Sequence, residues 1–446
     1  MKPYIRSRFT LCSFLTLAAS SFAMSGCEDD GIDADMLTSS TTTSGTGTAT
    51  ESSSSTETTT ATGSTSDANS SSETSTATSP YIVAKPVVGA CAFAPRNPSR
   101  LVVTSSDHST GAVGLVDVNT LTVAADLAGA HTDTALASEN GLVYVINRFG
   151  GDSIKILDPG QNLALIAEFS LLAADDTGDS VNPYGLIRGD DGRLFISQFG
   201  RSEVAIWSDG PNPVRLGGID LSPLADADGL AETTQLIRCG DTAFLASTPL
   251  DRTTWEVAGP TRLIPFDLVS ARFFDEQNDG IIDSITLPGN DFNRFIADPR
   301  DTTGKTILVA QNPGLARVNL ETGVADWAVA QETFEGKNIG KYGMMSFDLA
   351  DDNDTLWISV ASPDFSEFSL WTASLQSQGT NLQEQVRSLD LLNGAIEVIG
   401  SRIWVADTNT ENPGLRVFDA SASPIVEIAG SPLSVGLAPY SFLGLP

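Results

Sequence analysis

Residues 140–160 read NGLVYVINRFGGDSIKILDPG, two alternating apolar runs, LVYVI and SIKIL, separated by a glycine-bearing loop and closed by Asp158-Pro159. Side chains that alternate in polarity point to opposite faces of a strand, so each run reads as a short β-strand. Asn140-Gly141 in front and Asp158-Pro159 behind are turn formers. The fold depends on whether this hairpin stands alone or recurs.

It recurs. Comparable first runs are LVVTS at 101, LVYVI at 142, LFISQ at 194, AFLAS at 243, ILVAQ at 307, LWISV at 356 and IWVAD at 403. Each is followed by a second alternating run ending on a small polar residue: Asp117, Asp158, Ser208, Asp267, Asn319, Thr372 and Asp419. Such side chains bond to backbone two residues on and open a turn. The first runs lie 41, 52, 49, 64, 49 and 47 residues apart. About 40 to 50 residues hold four short strands with their turns, the size of a propeller blade. Seven four-stranded sheets, each apolar on both faces, can bury those faces by stacking in a ring. The sequence therefore predicts an all-β, seven-bladed β-propeller over residues 81–446.

The innermost strands are expected at CAFAP (91–95), YGLIRG (184–189), QLIRC (235–239), RFIAD (294–298), MMSFD (344–348) and AIEVIG (395–400). Two terminal segments could close the ring: APYSFLGL as an extra innermost strand, or YIVAKPVV at 81–88 as an extra outer one. The hairpins, the loops NRFGGD and SQFGRS, and the VxVxD-like closing strands resemble the YVTN or YncE-like seven-bladed propellers. Lactonase-like propellers share this pattern. The resemblance covers most of 85–446 and implies a fold far more firmly than an activity. The WD dipeptide, the kelch double glycine and the tryptophan-docking repeat are absent from it.

The first 80 residues are of another kind. Lys2, Arg6 and Arg8 precede the short apolar run FTLCSFLTLAASSFAM, the layout of an export signal over residues 1–26. MSGC at 24–27 resembles the lipobox of bacterial lipoproteins, which implies acylation of Cys27. Met24 departs from the usual Leu, Val or Ile, and cleavage after Ala23 is the alternative. Residues 27–80 form a Ser/Thr-rich linker without Lys or Arg and with almost nothing apolar, which predicts disorder. A flexible chain of that length reaches about 40 Å. The expected location is outside the cytoplasm, on the outer membrane or cell surface, with the membrane met only through the lipid.

The net charge is −31, from 25 basic and 56 acidic residues. Such an excess argues against nucleic acid or anionic lipid as a ligand, since both require basic patches. Beyond the signal and the anchor candidate only Cys91 and Cys239 remain. With Cys91 placed in blade 1 and Cys239 in blade 4, they are expected on opposite sides of the channel, as two buried thiols too far apart to bond.

Few motifs carry chemistry. DEQNDGIID, residues 275–283, approximates a calcium loop through Asp275, Gln277, Asp279 and Asp283, without the terminal glutamate of an EF-hand. The other reading is an acidic turn. DADGLAE at 226–232 is a weaker echo. His108 and His131 fall in loops expected on one face, with Asp107 and Asp133 close by in sequence, the makings of a general base or a metal pair. Two solvated histidines is the competing reading. Arg148, Phe149, Phe199, Arg201 and Trp255 also fall in face-forming loops and make the candidate binding face, since aromatics and arginines dominate recognition surfaces. Two functions follow. One is a monomeric, non-enzymatic binding or scaffolding module for an envelope protein, glycan or small molecule. The other is a metal-assisted hydrolase of the lactonase-like kind, working at the channel mouth. Calcium is the only cofactor the sequence suggests.

Overall fold

The computed structural model describes residues 79–446 except 174, 175, 177, 179, 291–293, 313, 341–342 and 392–394. The signal, Cys27 and the linker to residue 78 lie outside the described residues. The described strands make seven sheets of four positions each, arranged as the blades of a propeller. Blade 2 is typical: Thr134–Glu139 is innermost, followed outward by Leu142–Asn147, Ser153–Asp158 and Ala164–Ser170, all antiparallel. Blades 3, 5, 6 and 7 repeat this order from Pro183, Phe295, Met344 and Ile396. In blade 4 the outer position is shared by Arg272–Phe273 and Ile285–Thr286, and the short hairpin of Leu250–Asp251 with Glu256–Val257 is inserted. These additions account for the 64-residue interval.

The stacking is visible in the core. Seven apolar clusters each join two consecutive blades, the last joining blade 7 to blade 1. Neighbouring residues on one strand serve opposite clusters. Leu101 and Val103 face blade 7 while Val102 faces blade 2; Trp404 and Ala406 face blade 1 while Ile403 and Val405 face blade 6. Every first run of the repeat is buried on both sides for this reason, and each such large apolar side chain contributes about 1.5–3 kcal/mol. Trp357, Trp371 and Trp404 are buried between blades, and Trp207 packs half-buried beside Phe169, with ring centroids 4.6 Å apart.

The polar residues that end the third strands do start turns. Asp117 Oδ1 accepts from the Thr120 N–H at 2.7 Å, Asp158 Oδ1 from Gly160 at 2.8 Å and Asp419 Oδ1 from Ser421 at 2.9 Å. Asn319 Oδ1 accepts from Thr322 at 2.9 Å. In blade 6 the strand runs two residues past Thr372, to Ser374, whose Oγ accepts from Ser377.

The C-terminal segment closes the ring. Ala438–Leu445 pairs with Arg100–Ser106 as the innermost strand of blade 1, joining the last strand of the chain to the first blade. CAFAP, expected in that position, is displaced from it. Residues 88–99 instead form a strap across one end of the channel. Gly89 N–H bonds to Cys239 O, Cys91 N–H to Gly304 O and Ala92 N–H to Arg238 O. Farther on, Arg96 Nη2 donates to Leu349 O and Ala350 O, and Ser99 N–H reaches Leu445 O. The strap thus leads from blade 4, past blades 5 and 6, to blade 1. It approaches closely at its start: a Cβ on Gly89 would lie 3.0 Å from Gly240 Cα.

This path corrects the reading of the cysteines. Cys239 ends the innermost strand of blade 4 as expected, but Cys91 lies on the strap beside it, and the two form a disulfide. They are not separate thiols across the channel. The segment at 81–88 does meet the outer edge of blade 4, where Ile82 bridges Phe274. Among the described residues no helix is long and apolar enough to cross a membrane.

Candidate functional site

The end of the channel opposite the strap is built from two loop classes. Thr134 pairs with Asn147 and Pro183 with Gln198, so the entry to each innermost strand lies beside the exit of the second. A backbone bond repeats there: Arg148 N–H to Asp133 O, Phe199 N–H to Asn182 O and Thr248 N–H to Glu232 O, in blades 2, 3 and 4. The repeat sets a polar residue on the rim at each of three successive blades.

On this frame the side chains of blades 1 to 4 form a continuous run. Tyr440 OH donates to Asp133 Oδ1 at 2.9 Å, and Arg148 Nη1 lies 3.3 Å from the same oxygen. The Arg148 guanidinium carbon sits 3.8 Å from the Tyr184 ring centroid, and Tyr184 lies 6.3 Å from Phe199. Arg252 continues the run, 4.9 Å from Phe199 and 6.0 Å from Trp255, and its Nη2 donates to Phe199 O at 2.8 Å. Each arginine is thus held by a ring and by a buried carboxylate, Asp133 or Glu232. Cation and ring attract through the ring quadrupole, more strongly where water is excluded. Burial and the adjoining Asp133 push the Tyr440 phenol well above its usual range, so it stays a donor.

Of the expected face residues, Arg148, Phe199 and Trp255 belong to this run. Phe149 stands beside it, 61% exposed. Arg201 pairs with Asp176 at 3.0 Å. Tyr184, Tyr440 and Arg252 complete the run and carry no local sequence signal. The first two lie in innermost strands, and Tyr440 comes near blade 2 only through ring closure.

Glu232 is fully buried at the rim. Its Oε1 accepts from Arg252 Nε at 3.2 Å, and its Oε2 has no hydrogen-bond partner. Burial pushes its carboxyl up to about 7, with Asp228 and Asp226 adding to the shift and Arg252 opposing it.

The histidines differ from each other. His131 is half-buried, and its Nδ1 accepts from the Asp133 N–H at 3.3 Å. His108 is exposed, at φ 67°, in a loop organised by Asp107, whose Oδ1 accepts from the Ser109 and Thr110 N–H groups. Those bonds hold Asp107 well below the usual carboxylate range. Among the described residues neither histidine side chain is bonded to a carboxylate.

The loop at 275–283 lies at the outer edge of blade 4, away from the mouth. Asp275 is buried, and its carboxylate accepts from the Asp279 and Gly280 N–H groups at 3.1 and 3.0 Å. Asp283 Oδ2 accepts from Glu276 N–H, while Gln277 and Asp279 are exposed. Much of its oxygen content is directed at its own backbone.

The strap end holds a cleft of about 530 Å³, its solvent-open part included, lined by Phe93, Arg96, Arg294, Asp348, Glu397 and Val398 among others. Arg294 Nη2 donates to Glu397 Oε2 at 2.7 Å, and the Val398 N–H donates to Asp348 Oδ2 at 2.7 Å. Burial pushes the Glu397 carboxyl up to about 7, against the pull of Arg294.

No protein-family model matches the sequence, and no curated protein matches it. Solved structures do share its architecture. A candidate 6-phosphogluconolactonase from Bacteroides fragilis superposes with a TM-score of 0.51 at 12% identity, over 78% of this chain and 98% of that one. The likeness is one of fold. A Lactobacillus plantarum protein gives a TM-score of 0.45 at 12% identity, covering 78% and 100% of the two chains. Virginiamycin B lyase from Staphylococcus aureus gives 0.42 at 11%, covering 69% and 86%. The lactonase-like propellers suggested by the repeat are thus among the structural neighbours.

Proposed function

We propose that this protein is a binding module of the cell envelope, held to a membrane by acylated Cys27 and recognising a partner protein with the rim of blades 1 to 4. One observation carries the reading. Arginines and aromatic rings run without a break from Tyr440 to Trp255, with Phe149 exposed beside them. Rings and arginines already held in place lose little freedom on contact, which is what an interface centre requires. The Cys91–Cys239 disulfide supports an oxidising compartment, in keeping with export. The linker then acts as a tether between anchor and propeller.

Site-specific photocrosslinking in intact cells tests this. A crosslinker at Phe149 should capture a defined partner, while one at Val426, exposed on the outer strand of blade 7, should not. Equal capture from both positions, or capture from Val426 alone, contradicts it. Loss of lipid labelling in Cys27→Ser tests the anchor.

A second reading, a hydrolase at the same rim, draws on Glu232, a fully buried carboxylate whose Oε2 has no hydrogen-bond partner and would serve as the acceptor for a proton from water. The lactonase-like fold makes a lactone the first substrate class to assay. Turnover lost in Glu232→Gln would favour it over the binding module.

A further inference from the structure

The strongest unassigned group lies between blades 3 and 4. We infer that Asp226, Asp228 and Glu232 hold a hard divalent cation, of the calcium or magnesium class, at the rim of the mouth. One oxygen from each lies within 4.8 Å of the others. Calcium, held by oxygen at about 2.3–2.6 Å, can touch ligands separated by up to about 5 Å, so a single calcium fits all three, whereas magnesium, at about 2.0–2.1 Å, requires them to draw closer.

Three further observations point to an ion. Glu232 is fully buried with Oε2 unpartnered, although Oε1 is engaged by Arg252. A buried carboxylate oxygen without a partner is costly, and the usual remedy is a bound water or ion. The local charge is also unbalanced. Three carboxylates face one guanidinium, with Arg252 Nε 3.2 Å from Glu232 and 3.7 Å from Asp228, which leaves two negative charges in excess. Finally, the turn uses only half of each aspartate. Asp226 Oδ1 accepts from the Asp228 N–H and Asp228 Oδ1 from the Leu230 N–H, so the second oxygen of each is outside the turn bonds. Arg252 stays anchored by Phe199 O and by the Phe199 ring, so arginine and ion occupy opposite oxygens of Glu232. Asp228 is exposed, which opens the ion to water for its remaining ligands. The ion would tie the segment leaving blade 3 to the entry of blade 4, independently of what docks on the rim.

The test is titration calorimetry on the full-length protein, stripped with EDTA and dialysed, using calcium chloride and, separately, magnesium chloride. One equivalent of at least one ion should bind. Glu232→Gln and Asp228→Asn should each weaken binding about tenfold or more, and Asp279→Asn should leave it unchanged. Asp228 is exposed, so its variant keeps the test valid if Glu232→Gln fails to fold. No binding heat with either ion, binding that persists in both variants, or binding lost in Asp279→Asn would each overturn the inference.

Discussion

The two ends of the channel are built from the same repeat and have opposite characters. At one end the strap crosses beneath the innermost strands, tied to blade 4 by a disulfide and to blade 6 through Arg96. Its charged groups turn inward: Arg294, Glu397 and Asp348 satisfy one another around the cleft. At the other end the loops leave Phe149 exposed and hold Arg148 and Arg252 against rings. The strap and the recognition face thereby lie at opposite ends of the channel, while the closing strand runs between them and reaches the mouth through Tyr440.

The largest effect should come from breaking the closure. Deleting residues 438–446 strips the innermost strand from blade 1, exposes the Arg100–Ser106 edge and opens two apolar clusters. The loss should exceed the about 5–15 kcal/mol that holds a domain folded, giving insoluble protein or no cooperative melt by circular dichroism. Cys239→Ser should be milder. Loss of a native disulfide costs about 2–5 kcal/mol, read as a lower denaturation midpoint that dithiothreitol reproduces in the unmodified protein. Opening the strap should leave crosslinking at Phe149 intact.

Arg148→Ala acts at the mouth. It removes the cation from Asp133, which is buried with Tyr440, so a stability loss of about 1–3 kcal/mol is expected. Phe149→Ala should change stability by less than about 0.5 kcal/mol, as surface substitutions do, yet abolish co-purification of the partner that the crosslink identifies. That contrast sharpens the division between the two ends.

The smallest effect is a pH dependence at the strap end. Glu397 has a folded pKa of about 7, above its ordinary 4.5. A raised carboxyl binds protons more tightly when folded, so its contribution is full below about 4.5 and is lost as pH rises toward 7. Glu397→Gln should flatten the decline in melting temperature over that window.

What the sequence displayed was local. Second and third strands announce themselves through alternation and a polar turn residue, and both signals act within ten residues of each other. Thr134–Glu139, the innermost strand of blade 2, has only Leu136 as a large apolar residue and escapes such a reading. CAFAP has the composition of an innermost strand, but the C-terminal strand occupies that place, and this competition is decided by ring closure from the far end of the chain. The Cys91–Cys239 bond was hidden for the same reason. At the mouth, loop class was enough to single out Arg148, Phe199 and Trp255. Their partners Tyr184, Tyr440 and Arg252 complete the run across blade boundaries, at Arg148–Tyr184, Asp133–Tyr440 and Phe199–Arg252. The motif at 226–232 was visible, but its convergence depends on the burial of Glu232, which spacing does not reveal.

The ring itself is tested most directly by a designed crosslink between its ends. Thr104 and Ser441 are register partners in blade 1, with hydroxyl oxygens 2.9 Å apart. In a Thr104→Cys, Ser441→Cys protein, peptide mass spectrometry should find residues 104 and 441 joined in the folded, oxidised state, alongside the native bond. Free thiols at both positions in folded protein would contradict closure of the propeller by its C-terminal strand.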